Sequence, residues 1–157
     1  MKTLLLAMTV CAILTGRANF KTESVETKDL PILFAAFDDH FEVGQDATEL
    51  ILSIYLGVDG LNPSIHFLSA FRKRYPNVLF YLFTKSKLNE KNEVIDYTSG
   101  RKATNIEFSS VKWLSESEAK VELGWFCHPT FSGADLYRLR KEGNTWRIIG
   151  KKKLFRT

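Results

Sequence analysis

Cysteine is scarce in this 157-residue chain: there are two, Cys11 and Cys127, against 12 Phe, 5 Tyr and 3 Trp. Two cysteines exclude the disulfide-dense mini-scaffold. There is no run of about 18 charge-free apolar residues, the length a membrane-spanning helix needs. No Gly-rich phosphate loop, Gly-x-Ser-x-Gly nucleophile turn, HExxH pair or Cys/His ligand spacing occurs, and the three histidines, His40, His66 and His128, stand far apart. The sequence therefore predicts no metal and no cofactor, and no motif for nucleic acid. Disorder is excluded too, because 45% of the residues are apolar and 13% aromatic. The length fits one domain.

The first 18 residues read as a secretory signal. Met1-Lys2 is a basic start, Thr3 to Thr15 carries no charge, and Gly16-Arg17-Ala18 offers small residues for a cut after Ala18. The sequence thus predicts export, to the periplasm or the extracellular medium. Cleavage would remove Lys2, Arg17 and Cys11 and no acid, lowering the net charge of +4 by two and leaving Cys127 alone. A lone cysteine beside apolar neighbours reads as a small buried hydrophobe. Residues 19–29 are polar and read as a flexible leader to a single domain over 30–157.

Within that domain, Pro31 and the spacing of Leu30, Leu33, Phe34, Phe37 and Phe41 predict a short helix ending near His40. Glu49 to Gly57 predicts a strand. Asn62 as cap and Pro63 as first residue predict a helix over Ser64 to Arg74, with Ile65, Leu68 and Phe71 buried and Phe67 beside them. Val78 to Phe83 predicts a strand covered on both faces. Residues 84–102 read as a hairpin tip or loop with a short strand at Val94-Ile95. Four strand-like runs follow: Thr104 to Trp113, Ala119 to Cys127, Ala134 to Lys141 and Thr145 to Phe155. Short links make them an antiparallel meander. A two-residue turn at Gly143-Asn144 sets Leu139 against Ile148 and Lys141 against Trp146, with Tyr137 on the same face and Arg138, Arg140 and Arg147 on the other. The fold class is α+β: short N-terminal helices packed on a curved, mainly antiparallel sheet that ends in the four-strand meander.

Ala119 to Trp125, Leu136 to Leu139 and Gly143 to Ile149 resemble the last strands of the nuclear-transport-factor-2-like superfamily. The resemblance covers Val111 to Phe155. It implies a cone-shaped α+β domain whose sheet often encloses a pocket and whose open sheet face often pairs two subunits, so a homodimer is one arrangement it suggests. Catalytic members place a His, Asp or Tyr near strand ends at the cone mouth. His128, at a strand end beside Pro129, is the histidine that fits, with Asp135, Glu122 or Tyr137 nearby; none matches a catalytic motif residue by residue.

The remaining candidates are surfaces. Trp113 and Trp125 suit the wall of a pocket for a small apolar ligand, and Trp146 suits the core. Asp38-Asp39-His40 reads as a solvated helix end, because i and i+2 diverge on a helix. His66 reads as a surface residue. Charge is polarised along the chain: residues 19–65 hold 2 basic and 9 acidic residues, residues 66–157 hold 18 and 9. Arg138, Arg140, Arg147, Lys151, Lys152 and Lys153 form a basic stretch, read as a solvated face or as a surface for an anionic partner. The functional expectation is a non-enzymatic module binding a small ligand or a protein. The alternatives are a small hydro-lyase or isomerase using His128 with Asp135 or Tyr137, and a module adhering through its basic sheet face.

Overall fold

In a computed structural model the described residues are 27–41 and 53–157. The expected signal and most of the leader, like residues 49–52 of the first expected strand, lie outside them. Among the described residues the fold is α+β, with two helices and a mainly antiparallel seven-stranded sheet; the expected packing of N-terminal helices is corrected, because the second helix lies after the first strand.

Helix α1 (Leu30–Phe41) buries Leu30, Ile32, Leu33, Ala36 and Phe37. The Asp29 carbonyl accepts the amides of Ile32 and Leu33, and its carboxylate accepts the Trp113 indole N–H at 2.9 Å, so the start of the helix is tied to the sheet. Strand β1 (Ser53–Val58) runs parallel to both of its neighbours, β2 (Leu79–Leu82) and β5 (Thr104–Phe108). A strand inside a parallel segment is buried on both faces, which explains its near-continuous apolar run. Ile54, Leu56 and Val58 enter the main core, while Tyr55 joins Val94 and Ala103 on the other side.

Helix α2 (Ile65–Arg74) forms the crossover between β1 and β2, as a parallel pair requires. Its cap differs from the expected one. The Ser64 hydroxyl, not Asn62, accepts the Phe67 amide, and Asn62 instead makes two bonds with Thr84 at 3.0 Å each. The buried stripe is accordingly Phe67, Leu68 and Phe71, and Ile65 is 79% exposed. The expectation for Val78 to Phe83 is corrected as well. β2 is an edge strand with Phe80 buried and Leu79 exposed. A parallel edge can be as apolar as a central strand, so composition alone misplaces it.

After a 3-10 turn at Phe83–Lys85, β3 (Ser86–Leu88) and β4 (Val94–Asp96) make a two-stranded hairpin. Val94 lies over the Tyr55 side of the sheet, and the Tyr55 hydroxyl donates to the Asp96 carboxylate. The meander follows as β6 (Lys112–Ser115), β7 (Glu118–His128), β8 (Phe131–Glu142) and β9 (Thr145–Arg156), each antiparallel to the next. The expected run from Thr104 to Trp113 is two strands. β5 and β6 share one edge of β7 and part at 109–111, where the Asp59 carboxylate takes the Ser110 amide. Gly143 and Asn144 form the two-residue turn, with positive φ at Gly143 only, as in a type II′ turn. Leu139 pairs with Ile148 and Lys141 with Trp146.

Beyond that point β9 departs from simple alternation. Ile149 and Leu154 are each an extra residue without a partner on β8. The bulges put Lys151 opposite Tyr137 and Lys153 opposite Asp135. Between the helices and the sheet lies a cluster of rings. Phe37 is 5.4 Å from Phe71, 4.9 Å from Tyr75 and 5.8 Å from Phe80, centroid to centroid.

Candidate functional site

The ionisable groups converge at the end of α1, and not at the expected histidine. His128 is the last residue of β7, paired with Phe131 at the turn into β8. Its Nδ1 is 3.1 Å from the Thr130 hydroxyl and its ring stacks on Phe131 at 5.8 Å. Among the described residues no hydrogen bond or ion pair joins it to Asp135, Glu122 or Tyr137. Asp135 and Tyr137 are fully buried on the helix-facing side of β8. Alternation along β8 puts them there with Leu139.

Asp135 is paired on every approach. The Arg156 guanidinium donates to both carboxylate oxygens at 3.1 and 3.3 Å, and the Lys151 ammonium is 3.5 Å away. The same Lys151 donates to Asp39 at 2.7 Å. His40 arrives from the last turn of α1, with Nδ1 at 3.9 Å from Asp135 and its ring 4.3 Å from that of Trp125. The Arg156 guanidinium stacks over the other part of this wall, 4.6 Å from the Trp125 ring centre. Two carboxylates and two cations make the cluster electrically balanced before His40 is counted.

Burial pulls the His40 pKa down to about 4, against the opposing attraction of Asp135, so the ring is neutral near pH 7. Burial pushes the Tyr137 phenol up to about 12. Burial pulls Lys151 down, but its contacts with Asp39 and Tyr137 together raise it further, so it stays cationic. Its ammonium lies 5.0 Å from the Tyr137 ring centre, near enough to act electrostatically. Among the described residues the buried Tyr137 hydroxyl has no hydrogen bond of good geometry, and Lys151 is the donor within its reach.

The other candidates are dispersed. Trp125 lines the His40 cluster, whereas Trp113 packs edge-on against Trp146, at 5.4 Å. Arg138 and Arg140 both grip Glu118, at 2.7 and 2.8 Å, and Arg147 pairs with Glu142 at 3.0 Å. Lys151 belongs to the cluster around Asp135 rather than to that face. Lys152 and Lys153 are exposed and make no ion pair among the described residues. Cys127 is half-buried 2.9 Å from the Thr104 hydroxyl, and burial raises its pKa, which disfavours the reactive thiolate. His66 is exposed.

An open hollow of about 490 Å³ lies along the β3–β4 hairpin, lined by Lys87, Leu88, Asn89, Lys91 and Ile95 among others. None of the candidate residues reaches it. Among the described residues no group of three or more His, Cys, Asp or Glu side chains converges as metal ligands, and no helix is long and apolar enough to cross a membrane.

His40 is the residue that the sequence reading passed over. The argument that Asp38 and His40 diverge holds: Asp38 turns to Arg74 and Tyr75, His40 to Asp135. The overlooked signal is that His40 follows Ala36 by one turn and so flanks the apolar stripe. No family model, curated protein or solved structure matches the chain.

Proposed function

We propose that the chain is an exported, non-catalytic binding domain that meets a partner through its outer surface. The carrying observation is the packing of the Phe37–Phe71–Tyr75–Phe80 cluster between helices and sheet, with the charged groups at its end engaged with one another. A catalytic carboxylate needs a free lone pair facing substrate; Asp135 spends its oxygens on Arg156 and Lys151. The export part rests on Met1 to Ala18, and kinship with the nuclear-transport-factor-2-like superfamily rests on Val111 to Phe155, which covers β6 to the end of β9. The parallel β1–α2–β2 unit lies outside that resemblance.

The hydro-lyase or isomerase reading is favoured by one observation, the buried Tyr137 hydroxyl beside the Lys151 ammonium in a cluster that also holds neutral His40. In that reading His40 takes the place given to His128. Titration with a neutral apolar dye such as Nile red separates the two. A filled interior leaves the dye at its buffer emission. Saturable one-to-one binding that Trp125→Leu abolishes would show the interior pocket that the enzyme reading needs and would contradict a domain that binds only through its outer surface.

A further inference from the structure

We infer that the open end of the β8–β9 hairpin is a contact surface for the anionic headgroups of a lipid bilayer. This rests on the binding-domain reading and names its partner. Three large apolar side chains stand in water there: Phe131 at 56% exposure, Phe155 at 55% and Leu154 at 41%. They share one end of the hairpin, because Ala134 pairs with Phe155 and the Thr157 amide donates to the Ser132 carbonyl. Lys152 and Phe155 lie on the outer side of the sheet, opposite Leu136 and Ala134. Lys153 and Arg156 lie on the other side, opposite Asp135 and Gly133. The bulge at Leu154 separates the two sets. Arg156 is held by Asp135, so the apolar tip has one lysine on each flank, Lys152 on the outer side and Lys153 on the other.

The nearby acids do not cancel them. Asp135 is buried and already paired by Arg156 and Lys151. Glu122 stands two strands from Lys152, across Leu136. Apolar residues that dip to the acyl boundary, ringed by lysines that meet acidic headgroups, are the physical signature of an interfacial contact.

The same strand argues against other occupants. Among the described residues β9 is a free edge, but two bulges and the Lys151-Lys152-Lys153 run interrupt it, the devices that blunt strand addition. Antiparallel pairing with a second copy would set that lysine run against itself. A soluble polyanion would engage the lysines and leave Phe131, Leu154 and Phe155 in water.

The test is site-resolved amide hydrogen exchange on the full chain, alone and with vesicles of phosphatidylcholine containing about a third phosphatidylglycerol. Vesicles of phosphatidylcholine alone are the control for any binding by the apolar Thr3–Thr15 run. The expected result is slower exchange at residues 131–132 and 152–156 with the anionic vesicles only. In Lys152→Gln/Lys153→Gln the protection falls about five-fold per lysine, the equivalent of ~1 kcal/mol each. In Phe131→Ser/Phe155→Ser it falls again, with the tryptophan emission of both variants unchanged. Protection that is absent, lies elsewhere, or is equal with both vesicles overturns the proposal. So does protection by soluble polyglutamate that vesicles do not reproduce, a result that would leave the non-catalytic reading standing. Saturable Nile red binding in the interior would instead contradict the closed, surface-binding reading, whatever the vesicles do.

Discussion

The Trp125 ring occupies the space that a side chain at position 133 would fill: a Cβ on Gly133 would come within 2.5 Å of Trp125 Cζ2 and 2.9 Å of the Phe155 carbonyl oxygen. The two residues face each other across β7 and β8. The absence of a side chain at 133 lets the indole lean toward Arg156 and form the wall on which His40 rests.

Gly133→Ala must therefore displace the indole or the β9 backbone. The expected cost is about 1–3 kcal/mol, as for overpacking in a close-packed interior. Urea denaturation followed by tryptophan emission checks it, and the native emission maximum should shift as well. A variant as stable as the parent, with unchanged emission, would refute the close approach.

The two-residue turn at Gly143-Asn144 was readable because a tight turn fixes the register of its flanking strands. Leu139 and Ile148 follow from it, and so do the outward Arg138, Arg140 and Arg147. Legibility ends at Ile149. A bulge is a local insertion in the ladder with no required residue type, so simple alternation cannot place Lys151 opposite Tyr137. The cluster around Asp135 was hidden for the same reason, and because His40 and Asp135 are 95 positions apart. The pairing of β1 with β5 likewise joins segments that no short-range pattern links. Helix α2 lies where expected, but Ser64 and Asn62 are both good caps, and the buried stripe keeps Leu68 and Phe71 and takes Phe67 in place of Ile65.

Stability should fall as the solution is acidified through the His40 range. The folded pKa of about 4 lies below the value of about 6.5 in an unfolded chain. Between those values the unfolded state binds more protons, so stability is full above about pH 6.5 and its His40 share is lost by about pH 4. The groups facing His40 are Asp135, Lys151, Arg156 and Asp39. The share is at most about 3 kcal/mol. Denaturation midpoints from pH 4 to 7 for the parent and His40→Gln measure it, and the variant should show a flatter profile across this window.

Asp135→Asn should be more damaging than any surface charge substitution. It leaves Lys151 and Arg156 beside each other with their shared anion gone. Both cations keep contact with water, which limits the expected loss to about 3 kcal/mol, the lower end for breaking a buried pair. Adding Arg156→Gln should recover part of the loss, because it removes one of the stranded charges. A recovery of zero in that double variant would show that the pair is not coupled.

The β3–β4 hairpin should be held locally rather than globally. The Tyr55 hydroxyl and the Thr98 and Ser99 amides all donate to Asp96, whose pKa is lowered to about 2, chiefly by the Tyr55 bond. Tyr55→Phe should speed amide exchange at residues 94–103 about ten-fold while residues 119–125 exchange as before. Acid should release the same contact only as the pH falls from about 3.8 through about 2, since the carboxylate must be protonated first. Uniform acceleration across the sheet would contradict a local latch.

The account turns on whether the α1 end of the sheet is closed packing or an open polar site, and Tyr137 reports on this most directly. Its hydroxyl is buried, and among the described residues the Lys151 ammonium is the group placed to donate to it. A closed site offers that oxygen only Lys151, so in a Lys151→Gln background Tyr137→Phe should leave the urea midpoint unchanged or raise the stability by about 1 kcal/mol. A loss of more than about 1 kcal/mol in that background would mean that the hydroxyl is bonded to water or to a bound molecule in solution, and would contradict the closed, non-catalytic interior.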